Sequence, residues 1–152
     1  MPIYSVPKPI REEEDYRAKC VEIASKIACL RAKYRCAMCG RLGNEEEICC
    51  HHIVHRSFGD TTALLENLLP VCAICHSDIH HDEKRFKAWL EMSRPGLYEK
   101  LWAIAREFCN IVWEDLYCSL LEQYKQLLHC LGAESPVLKY GDECVHLLKK
   151  NT

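Results

Sequence analysis

Residues 49–60 read CCHHIVHRSFGD, and this stretch places two adjacent histidines, His51 and His52, between a pair of cysteines and a turn. The apolar pieces in and after it, Ile53-Val54 and Leu68-Leu69, are too brief for helices, so we predict short strands. Because successive side chains of a strand point to opposite faces, we expect the two imidazoles to face in different directions. One of them can then bind a metal ion while the other faces elsewhere.

Two more histidines follow at a spacing that suits a shared ion. His76 and His80 lie four residues apart on a helix that we predict from Ala73 to Leu90, so both side chains project from one face. Together with one histidine of the pair at 51–52, they supply three protein ligands and leave coordination positions open. Such a site, with a separate base beside the ion, is what a metal-assisted hydrolase needs.

Four of the twelve cysteines form two pairs with the two-residue gap that lets one zinc ion take both thiolates. Cys36 and Cys39 form the first pair, and Cys72 and Cys75 form the second. In a chain whose N-terminus lacks the features of a signal peptide, such pairs are more typical of metal ligands than of disulfides. We therefore predict a structural Zn²⁺ site, and we interpret the other eight cysteines as reduced, small, buried side chains.

Helices are predicted on both sides of this cysteine- and histidine-rich region. Apolar residues recur at gaps of three and four over residues 11–34, which predicts an amphipathic helix. A second apolar series follows Pro95 and extends to Gly132, a typical end signal, with a break near Asn110 because an unbroken helix would be about 50 Å long. The apolar faces of these helices can pack on each other or on a second subunit, so a homodimer through the C-terminal extension stays open.

These patterns divide the chain into three predicted parts. Residues 1–35 form an extended arm and the amphipathic helix, residues 36–92 form the metal-binding core, and residues 93–152 form a helical extension. The net charge of −2 argues against a broad basic surface, although residues 26–106 hold 12 Lys and Arg against 10 Asp and Glu. No run of about 18 apolar residues is present, so we expect a soluble protein without a membrane span.

The order of these residues resembles the HNH endonucleases. The matching series is C-x-x-C, His51-His52-Ile53-Val54-x-Arg56-Ser57, Asn67-Leu68 and Cys72-x-x-Cys75-His76-x-x-x-His80, and it covers residues 36–82. The resemblance implies an α+β fold, in which a small zinc-stapled ββα-metal core is flanked by an N-terminal helix and a long C-terminal helical extension. It also implies cleavage of DNA phosphodiester bonds, with products that end in 5′-phosphate and 3′-hydroxyl.

The resemblance assigns a metal role to three histidines. His51 falls at the first metal ligand of the family, and His76 and His80 fall at the two ligands on the helix. Mg²⁺ and Mn²⁺ prefer oxygen ligands, whereas three histidines also suit Ni²⁺ or Zn²⁺, so the identity of this catalytic divalent ion stays open.

It also assigns catalytic roles to residues that do not bind the ion. His52 falls at the general base, and Asn67 falls at the residue that braces the loop between the strands and helps to orient that base. Arg56 falls where many members carry a basic residue that contacts phosphate. The loop Gly59-Asp60-Thr61-Thr62 departs from the usual glycine-rich loop, which leaves open whether the substrate is duplex, branched or single-stranded.

Residues after the motif are similar to phage-type HNH recombination or packaging nucleases, which implies the cytoplasm of a bacterial or phage-infected cell. A second hypothesis is a non-catalytic zinc-binding module that recognises nucleic acid or protein. In that module Cys49 or Cys50 joins the histidines in a second structural zinc site. Asn67 and the histidine that binds no ion have no purpose there, so the sequence favours the endonuclease.

Overall fold

The computed structural model describes residues 12–55, 61–107 and 110–132, with side chains from residue 16 onward. The elements, in chain order, are α1 Glu12–Arg31, β1 Ile48–His52, a 3₁₀ helix Leu65–Asn67, β2 Leu68–Cys72, α2 Ala73–His81, α3 Glu83–Ser93, α4 Leu97–Arg106 and α5 Trp113–Cys130. The two strands pair antiparallel, with His51 opposite Leu69 and His52 opposite Leu68. Strands β1 and β2 and helix α2 form a ββα unit, so the predicted α+β fold class is confirmed.

Helices α1 and α5 pack against each other beside this unit. The predicted apolar face of α1 is buried there, since Ile23 and Ile27 are at most 1 % exposed. Tyr117 and Leu121 of α5 complete the same core. This core also contains Ala63 and Leu68, which flank the 3₁₀ helix, so the helix pair supports the segment that leads from β1 into β2.

A second core lies between the strands and the helices α2, α3 and α4. Leu69 and Val71 of β2 are fully buried, as are Leu90 of α3 and Leu101 of α4. All five residues of β2 are buried, whereas β1 is buried only at its two ends and exposes Cys49. The two strands are therefore covered on one side by α1 and on the other by the later helices.

Two predicted helices end earlier than their apolar periodicity indicates. The first ends at Arg31 rather than residue 34, because Lys33 and Tyr34 adopt positive φ angles of 53° and 54° that turn the chain toward Cys36. The helix predicted from Ala73 to Leu90 is two helices, since Asp82 leaves the helical conformation and accepts a hydrogen bond from the Arg85 N–H at 3.1 Å. Asp is a favoured N-cap, so it starts α3.

The C-terminal helix also divides, as the predicted break near Asn110 indicates, into α4 and α5. Pro95 does not open α4, because Gly96 with φ +77° is the N-cap and the helix begins at Leu97. Gly132 follows α5 with φ +69°, which confirms it as the end signal. None of the helices among residues 12–55, 61–107 and 110–132 has both the length and the hydropathy to cross a membrane.

Candidate metal centres

The four predicted zinc ligands meet at one point, where their Sγ atoms all lie within 4.8 Å of one another. Cys36 and Cys39 lie on a turn in which Gly40, with φ +75°, donates its N–H to the Cys36 carbonyl at 2.9 Å. Cys72 is the last residue of β2 and the N-cap of α2, and Cys75 lies in the first turn of that helix. A hydrogen bond of 2.8 Å from the Ala37 N–H to the Pro70 carbonyl ties the turn to β2.

The geometry of this cluster fits zinc. A tetrahedral ion with Zn–S bonds of about 2.3 Å requires neighbouring sulfurs to be about 3.8 Å apart. Sγ of Cys39 and Sγ of Cys72 lie 3.8 Å apart. Burial raises the pKa of the Cys36 thiol, but N–H donors from Cys39, Cys72 and Met38 outweigh it and bring the pKa down to about 6. The thiolate that zinc requires is therefore favoured at Cys36 near neutral pH.

The three predicted histidine ligands form a second cluster. Ring nitrogens of His51, His76 and His80 lie within 4.8 Å of one another, with His51 supplied by β1 and the other two by successive turns of α2. Nε2 of His76 and Nε2 of His80 are 3.2 Å apart. Two nitrogens bound to one tetrahedral zinc at about 2.0–2.1 Å would be separated by about 3.3 Å, so this pair fits a shared ion.

The environment of His51 favours a neutral imidazole. Burial first, and then the neighbouring His76 and His80, lower the pKa of His51 to about 4. Phe86 of α3 contacts the His51 ring edge to face, with 5.3 Å between ring centroids, and adds apolar surface at this side of the site. A neutral ring with an available lone pair is the form that binds a metal ion.

His52 faces away from this cluster, as the strand alternation predicts. It is buried, with 9 % of its surface exposed, and its Nε2 lies 2.9 Å from the carbonyl oxygen of Thr62. Because a carbonyl only accepts, Nε2 donates, and in the neutral ring Nδ1 is then the nitrogen that can accept a proton. The carbonyl of Thr62 as the partner of His52 could not be read from the sequence, since it depends on how the loop folds back.

Asn67 is fully buried and bonds to both ends of the loop between the strands. Its Oδ1 accepts a hydrogen bond from the Val54 N–H at 2.7 Å, and its Nδ2 donates to the carbonyls of Val54 at 3.1 Å and Thr61 at 3.0 Å. Thr61 precedes the residue whose carbonyl holds His52. Asn67 therefore ties the backbone of Val54 to that of Thr61, the neighbour of the residue whose carbonyl accepts from His52. Its predicted role in orienting a base stays a prediction.

Cys49 lies beside the histidine cluster but outside it. Its Sγ is 3.4 Å from Nδ1 of His76 and 3.7 Å from the carbonyl oxygen of Val71. Nδ1 is the ring nitrogen of His76 that does not face His80. Cys50 points to the other side of β1, where its Sγ lies 3.6 Å from that of Cys29. Neither thiol belongs to the group of three histidines that could hold an ion.

Other basic residues near the motif do not join either cluster. His81 is exposed, and its Nδ1 lies 2.8 Å from the Ser77 carbonyl oxygen. His55, which lies three residues after the end of β1, is also exposed. Arg56 lies outside the described residues. Its predicted contact with phosphate stays a prediction.

Residues 36–82 match the family model of HNH endonucleases. The matched segment contains the seven residues of the two clusters, four cysteines and three histidines, together with His52 and Asn67. No curated protein and no solved structure matches the chain. The match covers the segment that the sequence motif covers and leaves α1, α4 and α5 outside it.

Proposed function

Because residues 36–82 form an HNH endonuclease domain, we propose that this protein is a metal-dependent DNA endonuclease. The observation that carries the proposal is that three histidines converge while a fourth, His52, lies next to them but outside their cluster. The ring of His52 instead donates to the carbonyl of Thr62, in the loop that Asn67 holds. A structural zinc site alone needs no such fourth histidine. The endonuclease therefore accounts for more of the buried polar residues than a zinc-binding module does.

His51, His76 and His80 would hold the catalytic divalent ion. An ion held there would supply Lewis-acid chemistry, which would polarise a non-bridging phosphate oxygen and stabilise negative charge on the leaving 3′ oxygen. The three rings leave coordination positions for substrate oxygens, because a closed site would need a fourth protein ligand. Mg²⁺, Mn²⁺, Ni²⁺ and Zn²⁺ are all candidates, since imidazole suits the last two and open positions filled by oxygen suit the first two.

His52 acts as the general base in this proposal. Its Nε2 donates to the Thr62 carbonyl at 2.9 Å, which leaves Nδ1 as the atom that accepts a proton from the attacking water. The electron pair of that water then forms the new bond to phosphorus. The bond from phosphorus to the 3′ oxygen breaks, and the 3′ oxygen takes a proton from solvent water. Cleavage in this direction leaves 5′-phosphate and 3′-hydroxyl ends. Asn67 is a positioning residue, because it acts on the loop and reaches His52 only through the backbone.

Arg56 completes the proposed site as a contact to the substrate phosphate. It falls between Val54 and Thr61 along the sequence, within the matched motif. A guanidinium binds phosphate with paired hydrogen bonds, which suits this role.

Nicking of supercoiled plasmid tests the proposal directly. The purified protein is incubated with Mg²⁺, Mn²⁺, Ni²⁺ or EDTA, beside His52→Ala and the matched control His55→Ala, which alters an exposed histidine three residues along the chain. We expect metal-dependent nicking by the wild type and by His55→Ala, and a loss of at least about 100-fold in His52→Ala, the usual contribution of a general base.

Folding and zinc content of each variant are checked first, so that a loss of activity reports on chemistry. Equal nicking by wild type and His52→Ala would contradict the assigned base. Absence of nicking with every ion, on plasmid and on branched DNA alike, would contradict the endonuclease and favour the zinc-binding module.

A further inference from the structure

Cys49 makes contacts that the proposed mechanism does not use. It lies on β1 directly opposite Val71 of β2, and its thiol lies 3.7 Å from the Val71 carbonyl oxygen. The same Sγ lies 3.4 Å from Nδ1 of His76. The sulfur thus stands between a backbone acceptor on one strand and a ring nitrogen on α2.

Only one arrangement makes both of these contacts hydrogen bonds at the same time. The Val71 carbonyl can only accept, so the S–H of Cys49 donates to it. The sulfur lone pairs then face Nδ1 of His76, which must carry the proton if a hydrogen bond is to form. A neutral imidazole protonated at Nδ1 has its lone pair on Nε2, and Nε2 is the atom of His76 that faces His80 at 3.2 Å.

We propose that Cys49 is a positioning residue for the metal site: it holds His76 in the tautomer and ring orientation that aim Nε2 at the ion. The inference rests on the proposed function, because it assumes that the three histidines share a divalent ion. A metal-binding histidine commonly donates its other N–H to a carboxylate or a backbone carbonyl, which fixes the ring and raises its basicity. In this protein a thiol, oriented by β2, takes that place.

The position of Cys49 on the strand explains why Cys49, and not Cys50, contacts His76. Side chains at Cys49 and His51 leave the same face of β1, toward α2, whereas Cys50 leaves the opposite face and contacts the Ser25 carbonyl and Cys29 of α1. Cys50 is therefore a matched control, with the same chemistry one residue away and no contact to the cluster.

Co²⁺ is a suitable probe, because its absorption reports both affinity and ligand type. The titrated protein holds zinc in its four-cysteine site, as checked by mass spectrometry, and Co²⁺ is then added. The wild type is compared with Cys49→Ala, Cys49→Ser and Cys50→Ala. Loss of the partner of a metal-binding histidine typically weakens metal affinity 10- to 100-fold, and since sulfur is a weak acceptor we expect about tenfold in Cys49→Ala. Cys49→Ser, which keeps an acceptor, should recover most of this loss, and Cys50→Ala should bind as the wild type does.

The tautomer of His76 is measured separately, on the wild type alone, from the ¹⁵N shifts of histidine-labelled protein at alkaline pH without Co²⁺. Protonation at Nδ1 is the expected result, and this measurement does not depend on whether any variant folds. Protonation at Nε2 would overturn the proposal, and so would equal Co²⁺ affinity of the wild type and Cys49→Ala. A sulfur-to-cobalt charge-transfer band in the wild type that Cys49→Ala lacks would also overturn it, because Cys49 would then be a ligand.

His51→Ala separates this inference from the proposed function. If His51→Ala loses Co²⁺ binding while Cys49→Ala retains it, the metal site stands and only the role of Cys49 fails. If His51→Ala binds Co²⁺ as tightly as the wild type, the three-histidine site itself fails, and the proposed function fails with it.

Discussion

At the scale of single residues, a fully buried asparagine controls the shape of the site. Asn67 satisfies three backbone groups with one amide, and those groups belong to the two ends of the loop between β1 and β2. A buried backbone group that loses its partner costs about 1–3 kcal/mol. The backbone conformation that holds His52 therefore depends on the hydrogen bonds of Asn67.

Replacing Asn67 with Ala is expected to lower the free energy of unfolding by roughly 3 kcal/mol, because the buried N–H and carbonyl of Val54 lose this partner. The Thr61 carbonyl keeps a second donor, the Leu64 N–H at 3.2 Å. Asn67→Asp should be no better, since a carboxylate cannot donate to the carbonyls of Val54 and Thr61. Urea unfolding of both variants measures the loss. The control is Asn44→Ala, an exposed asparagine whose Oδ1 accepts from two local N–H groups, and its loss should stay near 1 kcal/mol. Similar losses at positions 44 and 67 would contradict the bracing role.

His51 gives the folded protein a dependence on pH. Its pKa is about 4 when folded, lowered by burial and by His76 and His80, against about 6.5 in an unfolded chain. Between these values the unfolded state binds the proton and the folded state does not, so the free energy of unfolding falls as the pH is lowered from about 6.5 to about 4.

His51→Gln removes this titration, and its free energy of unfolding should therefore depend less steeply on pH over the same range. Urea unfolding of wild type and variant in a series of buffers, with the zinc site occupied and no added divalent ion, measures the difference. Parallel curves for the two proteins would show that the pKa of His51 does not differ between the folded and unfolded states.

At the scale of elements, the helices outside the matched segment support the site. The core between α1 and α5 includes Ala63 and Leu68, which lie on either side of Asn67. Arg17 of α1 also donates a hydrogen bond to Oγ1 of Thr62 at 3.2 Å, the residue whose carbonyl holds His52. This packing within one chain accounts for the apolar helix faces, and the predicted homodimer stays a prediction.

Leu121→Ala in α5 tests this support. The side chain is fully buried in the α1–α5 core, so its truncation should lower the free energy of unfolding by roughly 2–5 kcal/mol. Leu131→Ala, at a position 53 % exposed, should change it by less than about 0.5 kcal/mol. Nicking by folded Leu121→Ala should also decrease, because the segment before Asn67 loses packing. A destabilised variant with undiminished nicking would show that the helix pair stabilises the fold without supporting the site.

At the scale of the whole molecule, the two ligand clusters would divide structure from chemistry in the proposed function. Four cysteines would close the coordination sphere of an ion that joins the Cys36 turn to the junction of β2 and α2. Three histidines would leave coordination positions open. Since metal binding to a closed site is coupled to folding, the two ions should differ in how their removal affects the protein.

Brief dialysis against EDTA is expected to abolish nicking while one zinc per chain and the far-ultraviolet circular dichroism are retained. Cys75→Ser, which opens the thiolate set, should lose that zinc and much of its ordered structure. Metal analysis and circular dichroism of the two samples provide the measurement. Loss of two zinc ions together, and only with unfolding, would instead agree with a module in which both clusters are structural.

Local sequence patterns were enough to predict both clusters of candidate metal ligands and the elements that carry them. Short gaps within each cysteine pair, the i to i+4 spacing of His76 and His80, and the alternation of His51 and His52 are local, and local geometry converts them into directions without knowledge of the rest of the fold. The apolar face of α1 was readable for the same reason, because its period is a property of the helix.

The groups that contact these side chains, in contrast, depend on how the whole chain folds. The partners of His52, Asn67 and His76 are a carbonyl, three backbone groups of a loop, and a thiol, and each contact exists because distant segments fold together. Backbone groups are the same at every residue, so the sequence carries no signal of which one will be used. The break at Asp82 was missed for a related reason, since the apolar period continues across it while a capping side chain ends one helix and starts the next.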